Sequence, residues 1–102
     1  MAEIEVRRAS GEDASGEDLL PRFRVTVTDE DGSTTTHDVT VSLADFERLG
    51  RNFRALDEFV RACFLFLLER EPKESILHSF DISVISNYFP EFEERISRAS
   101  PF

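Results

Sequence analysis

Tryptophan is absent from this sequence, and tyrosine, cysteine and methionine occur once each. A single cysteine, Cys63, excludes an intrachain disulfide. The near absence of Tyr and Trp removes the aromatics that usually build binding surfaces. Ten phenylalanines remain, and a side chain without a polar handle gains most from full burial. Glycines stand only at 11, 16, 32 and 50, which leaves no phosphate loop and no dinucleotide fingerprint. Basic charge is scarce: twelve Lys and Arg face twenty-one Asp and Glu, for a net charge of −9. No segment is net basic, so nucleic acid is disfavoured as a partner, and so is an anionic membrane surface. The longest uncharged apolar run, Ala62 to Leu68, is far below the ~20 residues that span a bilayer. The start, Met-Ala-Glu-Ile-Glu, lacks the basic and apolar regions of a secretory signal. These absences together lead us to expect a cytoplasmic protein.

What is present suits one small domain over residues 1–102. A chain of this size buries roughly 65% of its unfolded surface, enough for one modest core without metal or disulfide. Residues 2–8 alternate, with Ile4 and Val6 on one face and Glu3, Glu5 and Arg7 on the other, which predicts a strand. Residues 9–20 carry "ASGED" twice and no apolar anchor before their end, so a mobile acidic loop is expected there. Two further alternating stretches, 22–28 and 34–42, flank "DEDGS", a strong hairpin signal. A two-residue Asp31-Gly32 turn would set Val25 against Asp38, apolar face to polar face. Side-chain direction has period two, so the loop must hold an odd number of residues, three or five. Glu30-Asp31-Gly32 with a left-handed Gly32 is the natural choice. His37 then sits on the apolar face beside Val25 or Val27.

Helices follow. Ser42 has the spacing of an N-cap before "LADFERLG", where Leu43, Phe46 and Leu49 form a stripe and Gly50 a stop. Residues 54–71 form the main helix, with Leu56, Phe59, Val60, Cys63, Phe64 and Leu67 on one continuous stripe. Leu65, Phe66 and Leu68 add apolar surface on the other sides. The second half of this helix therefore needs cover from two directions, and Pro72 ends it. Either the sheet and the C-terminal helices supply that cover, or a second copy does, which makes Leu65, Phe66 and Leu68 the candidate interface of a homodimer. Asp81 caps "ISVISNYF", and Pro90 opens a last helix through "PEFEERISR". Residues 98–102 are expected to fray. The expected fold is α+β: a small antiparallel sheet, from the N-terminal strand plus the hairpin, packed by a long central helix and short C-terminal helices.

Catalytic chemistry finds little to use. The soft metal ligands are His37, Cys63 and His78, and none stands at a metal-ligand spacing. Cys63 lies in the middle of a buried stripe, where a thiol is inert. His37 and Asp38 point to opposite faces of a strand and cannot pair. His78, Ser79 and Asp81 hold the letters of a triad without a nucleophile elbow. No catalytic residue, metal or cofactor is expected. The carboxylates Asp29, Glu30 and Asp31 lack the spacing of a calcium loop, and they form instead a candidate acidic docking surface on the hairpin tip.

One fold-level likeness remains. "HDVTVSLADFERLGRNFRALDEFVRACFLFLLERE" runs strand, short helix, turn, long helix, and it enters the first helix through "VTVS-L". This order, over about residues 37–71, resembles ribbon-helix-helix regulators and antitoxins. The resemblance implies two copies that pair their strands, Asp38, Thr40 and Ser42 facing a major groove, and the double-sided helix as dimer core. The strand carries no Arg or Lys, and the hairpin already claims one of its edges. The leading expectation is therefore a non-enzymatic acidic module that binds or regulates another protein. The DNA-binding regulator stands as the alternative.

Overall fold

A computed structural model describes residues 2–9, 22–51 and 53–98. The expected acidic loop at 9–20, apart from the strand residue Ala9, and the expected frayed tail beyond Arg98 lie outside the described residues. The elements run β1 (Glu3–Ala9), β2 (Arg22–Thr28), β3 (Thr34–Thr40), α1 (Leu43–Leu49), α2 (Leu56–Arg70), a 3₁₀ turn (Lys73–Ser75), β4 (Ser79–Asp81), α3 (Ser83–Tyr88) and α4 (Phe92–Arg98). The fold is α+β, with a four-stranded sheet in the order β1-β2-β3-β4 packed against helices.

Alternation builds the sheet. Ile4 pairs with Val27, Val6 with Val25, Val25 with His37 and Phe23 with Val39. Ile4, Phe23, Val25, Val27, His37 and Val39 are buried on one face. The hairpin has the expected odd register: Asp29 N–H donates to Ser33 O at 2.9 Å and Gly32 N–H to Asp29 O at 2.9 Å, which closes Glu30-Asp31-Gly32 as a three-residue loop. Gly32 has φ +89°, a conformation that only glycine adopts cheaply.

The sheet holds one strand more than the sequence suggests. β4 pairs parallel to β3, Val39 against Phe80, so the sheet is mixed rather than purely antiparallel. α2 is the long crossover that a parallel pair requires.

The helices begin and end for identifiable reasons. Ser42 Oγ accepts from Asp45 N–H at 3.1 Å and starts α1. Gly50 closes it by donating to Phe46 O at 2.7 Å. Its φ is −104°, so the need for glycine is steric here: a Cβ would stand 2.6 Å from Phe46 Cδ1. The stripe on α1 is only partly inward, because Leu43 is exposed while Leu49 is buried. Asp81 Oδ2 accepts from Ser83 N–H at 3.0 Å at the start of α3.

Three phenylalanines of α2 organise the core. Phe59 meets the rings of Phe46 and Phe53 edge-on, at 5.6 and 5.8 Å. Phe64 faces the sheet, against His37 at 5.4 Å and Phe80 at 5.9 Å. Phe66 lies roughly 200° further round the helix and meets Phe92 at 5.1 Å and Phe89 at 5.9 Å. The second half of α2 is thus covered on both sides from within the chain. That corrects one expectation: Phe66 is 6% exposed and gives no surface to a second copy. The Arg70 guanidinium stacks 3.7 Å over its ring and closes the cluster toward solvent.

Candidate functional site

The chain leaves α2 at Pro72, turns through 73–75 and returns beside β3. Four bonds fix the returning segment. His37 Nδ1–H donates to Leu77 O at 2.8 Å, Asp38 N–H to His78 O at 2.8 Å, Thr40 Oγ1 to Asp81 Oδ1 at 2.6 Å and Ile82 N–H to Thr40 O at 3.0 Å. Because a carbonyl only accepts, His37 carries its proton on Nδ1, and Nε2 accepts from the Thr35 hydroxyl at 2.8 Å. The imidazole is 2% exposed, and burial lowers its pKa below the ordinary 6.5.

A second anchor holds the turn. Lys73, the only lysine in the chain, has a side chain 1% exposed. Its ammonium donates to Asp29 Oδ2 at 2.7 Å, Ser33 Oγ at 2.7 Å and Glu74 Oε2 at 2.6 Å. All three donors are used, and Asp29 and Glu74 hold the lysine pKa up. Lys73 in turn helps lower that of Glu74. Asp31 accepts both the hydroxyl and the backbone N–H of Ser33, which lower its pKa. Asp29 and Asp31 of the expected docking surface are thus engaged within the chain, while Glu30 is exposed at the tip.

Between the end of α2, the 3₁₀ turn, β4 and α3 these anchors leave an open apolar groove with a cavity of about 150 Å³. Leu67, Ile76 and Ile85 form its base, and Phe80, Val84 and Phe89 its walls. Leu77 and Tyr88 stand on it 45% and 64% exposed. Glu71 also lines it, half-buried. The Glu71 carboxylate has no hydrogen bond or ion pair among the described residues, while its acidic neighbours do. Arg70 holds Glu69 and Glu91 at 3.3 and 3.0 Å, and Lys73 holds Glu74.

A second depression gathers Thr35, Thr36, His37, Lys73, Glu74 and His78, the residue types of acid–base chemistry. His37 and Lys73 spend their polar hydrogens and lone pairs inside the chain, so neither aims a free group at the opening. Cys63 is fully buried, and burial pushes its thiol well up. Among the described residues no three His, Cys, Asp or Glu side chains gather as a metal site, and no helix is long and apolar enough to cross a membrane.

Other expected residues scatter. Leu65 is 48% exposed on α2, and Leu68 is half-buried. Asp38 binds Arg24 at 3.2 Å on the outer sheet face, and Thr40 is spent on Asp81. β3 lies between β2 and β4, so neither of its edges is free for a second copy. Sequence reasoning missed the groove, Lys73 and Glu71. No protein-family model, no curated protein and no solved structure matches this chain.

Proposed function

We propose that this protein is a non-enzymatic binding module that acts on another protein through the groove between α2, β4 and α3. One observation carries the reading: Leu77 and the sole tyrosine, Tyr88, stand exposed together around an apolar cavity, whereas the other large apolar side chains exposed among the described residues, Leu43 and Leu65, do not line it. A concave apolar site with a few polar groups at its edge is the usual form of a binding site, and exposed apolar patches with a polar rim mark interaction surfaces. The net charge of −9 favours a basic partner. The ribbon-helix-helix alternative needs β3 at a sheet edge, and here it is internal.

The test is affinity capture on the intact chain, followed by reconstitution of the purified pair in a calorimeter. Wild type should form a stoichiometric complex whose affinity falls with added salt. Leu77→Asp and Tyr88→Asp, each checked for an unchanged circular dichroism spectrum, should abolish it. A stoichiometric partner that binds both variants as tightly as wild type would remove the groove from the interface.

A further inference from the structure

The geometry assigns the groove a particular kind of occupant: a segment of a partner protein that places one bulky apolar side chain in the cavity and a lysine or arginine against Glu71. This inference rests on the groove being a protein-docking site. It adds what the docked segment must carry.

The size of the cavity sets the first requirement. An apolar cavity of about 150 Å³ matches one known to take a benzene-sized guest. It admits a single leucine- or phenylalanine-like group, not the whole face of a helix.

Glu71 sets the second. Glu71 is half-buried and lines the groove, and its carboxylate has no partner among the described residues. The cations next to it are committed elsewhere: Arg70 to Glu69 and Glu91, and Lys73 to Asp29 and Glu74. In the free protein, water solvates the open side of Glu71. An occupant that covers the groove removes that water, and a buried charge without a partner is strongly unfavourable. An occupant that brings its own cation replaces the water with a charge-assisted bond. The same carboxylate therefore rejects neutral and acidic apolar segments, and selectivity comes from the penalty as much as from the contact. Tyr88 adds an apolar ring with a hydroxyl on the rim, a combination suited to a half-wet contact.

The experiment is a selection of random-sequence displayed peptides on the immobilised full-length chain. Selected peptides are then synthesised with a fluorescent label and measured by anisotropy. The expected result is a shared bulky apolar residue close in sequence to Lys or Arg. Glu71→Gln should weaken such a peptide about fivefold. Replacing the peptide's cation with norleucine should cost as much on wild type and nothing further on Glu71→Gln. Peptides that depend on Leu77 and Tyr88 but carry no cation, or that ignore Glu71→Gln, would overturn the assignment and leave the docking reading in place. Failure to find any peptide that depends on Leu77 or Tyr88 would overturn both.

Discussion

Replacing Phe66 with alanine should cost about 3–5 kcal/mol, the range for truncating a buried phenylalanine. The structure says where that loss arises. Phe66 is 6% exposed, and its ring meets Phe92 at 5.1 Å and Phe89 at 5.9 Å, both edge-on. Each such pair adds about 0.5–1.5 kcal/mol beyond the buried area. Arg70 also loses the ring that it covers at 3.7 Å. Domains of this size have only about 5–15 kcal/mol in total, so the variant should be marginal in a urea titration at 25 °C. The damage should also be local: amides of α3 and α4 should lose hydrogen-exchange protection first, while β2 and β3 keep theirs. A Phe66→Ala, Phe92→Ala cycle should give a coupling of about 0.5–1.5 kcal/mol. Leu65→Ala, one residue away and 48% exposed, should cost less than about 1 kcal/mol. A Phe66→Ala loss under 1 kcal/mol, or wild-type stability that rises with protein concentration, would refute the claim that the chain covers this helix by itself.

Three further outcomes follow from buried groups. The Lys73 ammonium, triply bonded on a side chain 1% exposed, should resist an amine-acylating reagent in the native protein and react in urea; equal rates in both would contradict its burial. Cys63, fully buried with its thiol pKa pushed up, should react with an aromatic disulfide reagent no faster than the protein unfolds. His37 should make stability depend on pH. Its pKa is 6.5 when unfolded and lower when folded, so the unfolded state binds more protons in that window. Its contribution is complete above pH 6.5 and is lost as pH falls toward the folded pKa, with a slope of at most about 1.4 kcal/mol per pH unit. His37→Asn should flatten this segment of the curve, and an unchanged slope would assign it to other groups. The carboxylates Asp31, Glu74, Glu91 and Glu93 are lowered in the fold. Their contribution is present above their ordinary values of 3.8 and 4.5 and is lost in more acid solution, so the His37 loss sets in at higher pH than theirs.

Local signals carried far in this chain, and long-range ones did not. Period-two alternation gave β1, β2 and β3, and the clash of Val25 with Asp38 was enough to set an odd hairpin loop. The stripe on α2 was equally plain, and so was its need for cover on two sides. Which cover it receives is a tertiary fact: Phe66 meets Phe89 and Phe92 only because the chain turns back after Pro72. β4 was illegible because it has three residues, and its partner lies about forty positions earlier, across α2. The alternation of Ile76, His78, Phe80 and Ile82 was its only trace. Lys73 reads as a solvated charge because lysine is almost never buried unless paired, and its principal partner, Asp29, comes from the β2–β3 hairpin, 44 positions earlier. The groove was hidden for a related reason: Leu77 and Tyr88 are apolar letters in an apolar region, and no periodicity separates a rim from a core.

The two acidic places in the molecule can be told apart by what their loss should do. A cation that docks on Asp29 must compete with Lys73, and any success leaves a covered ammonium short of a counter-charge. Asp29 is thereby tied to the fold through Lys73. Glu71 has no such debt, since nothing among the described residues depends on its charge. Asp29→Asn should thus lower stability, raise the reactivity of Lys73 and leave the affinity of a groove-bound peptide unchanged. Glu71→Gln should leave stability within about 0.5 kcal/mol, as for an unengaged surface substitution, and weaken the peptide. Chemical denaturation and anisotropy on the same two variants measure both quantities. If Asn at 29 weakened binding while Gln at 71 did not, the contact would lie at the hairpin tip, and the net negative charge, rather than the groove, would be what the partner reads.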